Sequence, residues 1–131
     1  MVSMFSLEGK NAAVVGGASG IGEAVAIAFA EHGASVLCLD VDMTGALDTA
    51  ATITDMGGEA DAGQLNIVDG EAVTAAFESF KVKKGSLDIV VCTPGVNVRK
   101  PILDYTDEEI DRVLGVNLKG CLLYTSDAAD E

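Results

Sequence analysis

Seven residues near the amino terminus, GGASGIG (16–22), set glycines at positions 16, 20 and 22. An apolar run, NAAVVG (11–16), precedes them, and IGEAVAIAFAEHG (21–33), with apolar residues at helical spacing, follows. A strand that turns sharply through glycine into a helix can bring its backbone close to a phosphate. It also aims the unpaired amides of the helix N-terminus at that phosphate. Side chains at Gly16, Gly20 or Gly22 would obstruct the turn, the approach or the helix packing. Gly-x-x-x-Gly-x-Gly differs from the commonest dinucleotide fingerprint, and no Gly-Lys-Ser/Thr follows to make a P-loop. An S-adenosylmethionine methyltransferase would more often carry Gly-x-Gly-x-Gly at this point.

Asp40 closes the next apolar run, SVLCLD (35–40), twenty residues after Gly20. A carboxylate there accepts hydrogen bonds from both hydroxyls of an adenosine ribose and repels a 2′-phosphate. Residues 11–80 contain no Arg or Lys to receive such a phosphate. NAD is therefore favoured over NADP. Asp42, two residues on, is either a solvated acid or an assistant to Asp40.

Positioning these residues requires a regular alternation of elements, and the chain shows one. Strands are expected at 11–16, 35–40, 60–69 and 87–93. Helices are expected at 21–33, 44–58, 69–85 and 106–120, the third opened by an Asp69 cap and the fourth by Thr106 and Glu109 at capping-box spacing. Asn117 to Gly120 reads as the exit of the last helix. Such alternation predicts a Rossmann-type, doubly wound α/β domain, a parallel sheet with helices on both faces, cut off after about four strands.

Composition narrows the partners. A net charge of −13 argues against nucleic acid and anionic membrane surfaces. No apolar run reaches the roughly 20 residues that span a bilayer. The start, MVSMFSLEGK, lacks the pattern of a signal peptide. Cys38, Cys92 and Cys121 are odd in number and are expected to be reduced thiols, which fits a cytoplasmic protein. His32, just before Gly33, is expected at an exposed helix end. No metal site is expected.

GGASGIG, with VNLKG (116–120) downstream, resembles the short-chain dehydrogenase/reductase family, from about Leu7 to Gly120. The resemblance implies the N-terminal, cofactor-binding half of an oxidoreductase that moves hydride between NAD(H) and a small alcohol or carbonyl substrate. By it, Gly16, Ser19, Gly20, Ile21 and Gly22 bind the pyrophosphate and adenosine ribose. Asn66 and Ile67 stand where the family sets an Asp and a small apolar residue against adenine. Cys92, Thr93, Pro94 and Gly95 replace the family's Asn-Asn-Ala-Gly beside the cofactor, and only the glycine matches. Val15 replaces a family Thr whose hydroxyl bonds to that same segment, so the two departures read as one compensated contact. Cys92 itself reads as a buried structural thiol rather than a reactive one.

Asn117 matches the Asn that supports the family's catalytic Lys through a water. The family's Ser and Tyr-x-x-x-Lys have no counterpart: Tyr105 and Tyr124 are followed four positions on by Glu109 and Ala128. As written, the chain is expected to be inactive, and a non-catalytic dinucleotide-binding module is the alternative reading. Residues 97–120 resemble the sugar-acid and 3-oxoacyl reductase branches. Arg99 and Lys100 there either meet an acidic substrate or are solvated loop charges. The family implies a homodimer or homotetramer for the full-length protein. Residues 121–131, CLLYTSDAADE, continue no family pattern and resemble a translated transposon-based sequencing adapter. The expected division is an incomplete NAD(P)-binding domain at 1–120 and a non-native tail at 121–131.

Overall fold

The structure, a computed structural model, describes residues 3–122. Four strands, β1 (Asn11–Val15), β2 (Ser35–Asp40), β3 (Glu59–Gln64) and β4 (Ile89–Cys92), form one parallel sheet in the order β3-β2-β1-β4. Between them run α1 (Gly20–Glu31), α2 (Met43–Asp55) and α3 (Gly70–Lys84), and α4 (Asp107–Leu114) follows β4. The strand order reverses between β1 and β4, and at such a switch point a crevice opens beyond the strands' carboxyl ends.

Period-two alternation splits the core into two layers. Ala13, Val15, Leu37 and Leu39 face Val73, Phe77 and Phe80 of α3. Ala12, Val14, Val36 and Cys38 face Ala26 of α1 and Ala46 and Ile53 of α2. Both layers run unbroken beneath β1 and β2, which is why these strands read as continuous apolar runs.

The helix starts follow their caps. Asp69 accepts from the Ala72 amide at 3.1 Å, and Thr106 and Glu109 close a reciprocal capping box at the head of α4. Asp42 is neither spare acid nor ribose contact: its carboxylate caps α2 by accepting from the Gly45 amide at 3.1 Å. The third strand is shorter than 60–69, because the Asn66 carboxamide and carbonyl turn the chain into α3 through the Val68 and Asp69 amides.

The last helix does not exit at Asn117–Gly120. It continues through a π-helical turn, Gly115–Gly120, and Cys121 keeps helical angles (φ −64°, ψ −37°). A terminating glycine adopts positive φ, as Gly33, Gly57 and Gly85 do at +98°, +87° and +90°. Gly115 stays right-handed at φ −60°, ψ −47°. The small residues serve packing instead: a Cβ on Gly120 would lie 2.7 Å from Ile67 Cγ2. Tyr124 and most of the expected tail lie outside the described residues.

Candidate functional site

A cleft of about 360 Å³ opens at the carboxyl ends of β1 and β4. Its floor is the glycine turn between β1 and α1. Gly16 (φ +87°) and Gly20 (φ +59°) adopt the left-handed conformation that side chains disfavour. Gly22 is required by space: a Cβ there would lie 1.9 Å from the Gly16 carbonyl oxygen and 2.7 Å from Thr93 Oγ1. Helix and turn meet at backbone contact.

The protein itself uses the first amides of the turn. Gly16 and Gly17 donate to the Leu39 carbonyl at 2.7 and 3.0 Å, and Ala18 donates to Asp40 Oδ2 at 3.1 Å. The amides of Ser19, Gly20, Ile21 and Gly22 have no acceptor among the described residues. Ser19, extended at the N-cap of α1, makes no side-chain cap bond. One amide cluster, one hydroxyl and the positive end of a twelve-residue helix thus converge on the cleft, a donor set for an anion.

Asp40 sits at the opposite wall. Its Oδ1 accepts from the Asp42 amide at 3.0 Å and its Oδ2 from Ala18, so the carboxylate is fixed by two backbone donors. Each oxygen retains a lone pair for a ligand hydroxyl. Val41, 61 % exposed, follows it on the rim, and Ile21, 76 % exposed, stands across the cleft. Two bare apolar side chains on a polar rim suit the faces of flat ring systems. The residues present fit a dinucleotide.

Gly16, Ser19, Ile21, Gly22, Asp40, Asn66, Ile67, Pro94 and Gly95 all line the cleft. Gly20 shapes the turn without lining it. Cys92 does not face the cleft: it shares the phase of Val90 and packs against the α3 layer. Burial and the neighbouring Cys121 thiol push the Cys92 thiol up to about 12, so it carries no thiolate at neutral pH. Cys38, buried in the other layer, is pushed up to about 11.

Thr93, the next residue, is what reaches the turn. Its hydroxyl donates to the carbonyls of Val15 (3.1 Å) and Gly16 (3.3 Å). The hydroxyl expected to be missing at position 15 is supplied from the facing strand. Alternation along β4 was the available signal: if Val90 and Cys92 face one way, Thr93 turns the other.

Asn117, in the π turn, also stands off the cleft. Its carboxamide pairs with Val96, accepting from the amide and donating to the carbonyl, each at 2.9 Å. It staples the loop after β4 to the last helix, while Val116 beside it lines the cleft. Lys100 is not free for a substrate. It pairs with Glu109 and lies 5.6 Å from the centre of the Tyr105 ring, whose hydroxyl donates to the Val98 carbonyl. Arg99 is exposed, as is His32, whose Nδ1 lies 2.8 Å from the Ala28 carbonyl at the end of α1. Among the described residues no cluster of metal ligands occurs, and no helix is long and apolar enough to cross a membrane.

Comparison with known proteins agrees with this geometry. The sequence profile of the family described as short chain dehydrogenase matches residues 10–131. "Probable oxidoreductase EphD" of Mycobacterium bovis is 43 % identical over 107 residues, covering 82 % of this chain and 18 % of that protein. The D-threitol dehydrogenase of Mycolicibacterium smegmatis is 34 % identical over 91 % of this chain and 46 % of its own length. A crystal structure of a short-chain type dehydrogenase/reductase from Mycobacterium marinum superposes with a TM-score of 0.92 at 31 % identity, covering 96 % of this chain and 51 % of that one. The chain thus spans half or less of the length of each of these proteins. With the glycine turn, the parallel sheet and these likenesses in agreement, the chain belongs to the short-chain dehydrogenase family of oxidoreductases.

Proposed function

We propose that this chain is the NAD-binding half of a dehydrogenase or reductase that interconverts a small alcohol and its ketone. The observation that carries the cofactor reading is Asp40, held by two backbone amides at the rim of a glycine-floored cleft. The Ser19–Gly22 amides would hold the pyrophosphate. Asp40 would accept from the adenosine ribose hydroxyls, where a 2′-phosphate would meet a fixed negative charge. Asn66 and Ile67 would flank the adenine. Pro94 and Gly95 would lie along the ribose and nicotinamide end.

When bound, the nicotinamide supplies the hydride acceptor or donor. The chain's own residues bind and orient it. Asn117, through Val96, fixes the loop beside that end of the cleft. Proton transfer at the substrate oxygen needs an acid/base of tuned pKa, and no Tyr here has a Lys four positions on. The 131-residue chain is therefore proposed to bind cofactor without turning substrate over. The substrate is proposed to be a small polyol, sugar acid or 3-oxoacyl compound, acted on in the cytoplasm by a homodimeric or homotetrameric full-length protein.

Calorimetric titration with NAD and with NADP tests the cofactor reading. NAD is expected to bind the more tightly of the two. Tighter binding of NADP would overturn the role given to Asp40, and binding of neither would overturn the dinucleotide reading.

A further inference from the structure

We infer that Thr93 is a positioning residue for the pyrophosphate, a clamp that holds the glycine turn in its phosphate-ready shape. The inference rests on the dinucleotide reading above. Its basis is a contact that spans the switch point: one hydroxyl on the segment after β4, bonded to two successive carbonyls at the end of β1.

The Val15 carbonyl already accepts from the Thr93 amide at 2.9 Å, so it keeps a partner if the hydroxyl is lost. For the Gly16 carbonyl, the Thr93 hydroxyl is the donor that reaches it across the sheet. That carbonyl belongs to the residue with φ +87°, where the chain reverses toward Ser19. It also lies under Gly22, close enough that a Cβ there would come within 1.9 Å. The hydroxyl lies 2.4 Å from where a Gly16 Cβ would stand and 2.7 Å from a Gly22 Cβ. Thr93 Oγ1 therefore occupies the volume that the two glycines leave empty, and it fixes both sides of the turn at once.

The other restraints act elsewhere on the loop. The Thr49 hydroxyl, buried, donates to the Gly17 carbonyl at 2.9 Å, and Asp40 holds the Ala18 amide. Neither reaches the Gly16 carbonyl. Removing the Thr93 hydroxyl leaves that acceptor unsatisfied and frees the peptide unit to rotate. The amides of Ser19 to Gly22 then lose their common aim.

The test compares Thr93→Val, nearly isosteric but without the donor, with Thr93→Ser, which keeps it. Binding is measured with NAD and with adenosine, which carries the ribose for Asp40 but no phosphate. Thr93→Val is expected to weaken NAD by about tenfold, the weight of one unsatisfied acceptor. It should leave adenosine within about twofold, and Thr93→Ser should restore NAD binding. Equal loss for NAD and adenosine, or no rescue by serine, would overturn the clamp.

Amide hydrogen exchange on the unliganded protein gives a second arm. Exchange at Gly16–Gly22 should accelerate in Thr93→Val while the β2 amides stay protected. Unchanged exchange at the turn would overturn the clamp whatever the binding data. If the parent chain binds neither NAD nor NADP, the functional reading fails, and the exchange arm still decides the role of Thr93.

Discussion

Asp40 has two tasks that a substitution cannot separate. Its carboxylate faces the site expected for a ribose, and it also holds the Ala18 and Asp42 amides. Replacing it by alanine removes the negative charge that would repel a 2′-phosphate, yet it also unties the turn from β2. We therefore expect Asp40→Ala to bind NAD about tenfold more weakly, in line with losing charged hydrogen bonds, without gaining NADP. Adding a cation at the exposed neighbouring position, as Asp40→Ala with Val41→Arg, should shift the preference to NADP. Titration of both variants with both cofactors checks this. The idea fails if Asp40→Ala alone binds NADP as tightly as the parent chain binds NAD. The glycines and Asp40 were legible in the sequence because a phosphate turn admits few residue types. The second task of Asp40 was not, since which backbone amides a carboxylate meets depends on the path of another segment. For the same reason Thr93 was hidden behind its neighbour Cys92: motif matching reads a segment as a block, whereas a strand end sends successive side chains to opposite sides.

Elements show the same division between local and non-local information. The caps at Asp69 and Thr106 depend on residues three apart and were readable. The continuation through Gly115–Gly120 was not, because glycine stops a helix only when it takes positive φ, and here packing against Ile67 and Val68 holds it right-handed. The π turn presents Asn117 to Val96, and that pairing is local enough to test. Asn117→Ala should cost about 1 kcal/mol, since the pair is exposed, and should speed exchange of the Val96 amide. Asn117→Asp, which keeps the acceptor for that amide, should protect it better than alanine does. Equal exchange in all three proteins would show that the staple holds nothing.

A second local contact joins β1 to the start of β4: the Asp88 carboxylate accepts from the Asn11 amide at 2.8 Å and from the Ser86 hydroxyl at 3.0 Å. The Asn11 amide, then the Ser86 hydroxyl, hold its pKa below the ordinary aspartate value. A depressed folded-state pKa gives stability that is present above the unfolded value, about 3.9, and is lost as pH falls through the folded one. The melting-temperature gap between the parent and Asp88→Asn should therefore be widest at neutral pH and narrow below about pH 4. A gap constant from pH 7 to pH 3 would exclude the charge as its source.

Across the whole molecule the two edges of the sheet are treated differently. At the β3 edge, Lys83 of α3 pairs with Asp61 at 2.9 Å and Lys84 with Glu59, placing charge along the open strand. Charged edges of this kind discourage pairing with another chain. The β4 edge pairs with no further strand among the described residues, and its four members, Ile89 to Cys92, are apolar and only half-buried. Beyond it Ile110, Leu114, Leu118 and Leu122 recur every four residues, 42 %, 52 %, 55 % and 63 % exposed. An open apolar strand beside an exposed apolar row is a surface on which copies associate, and the net charge of −13 acts against this only through long-range repulsion that salt screens. We expect this chain to self-associate in sedimentation velocity, more strongly as protein and salt concentrations rise. Leu114→Glu with Leu118→Lys should raise the monomer fraction without lowering the melting temperature, because neither side chain is part of the core. A monodisperse parent monomer that melts cooperatively at all salt concentrations would overturn this reading of the β4 edge.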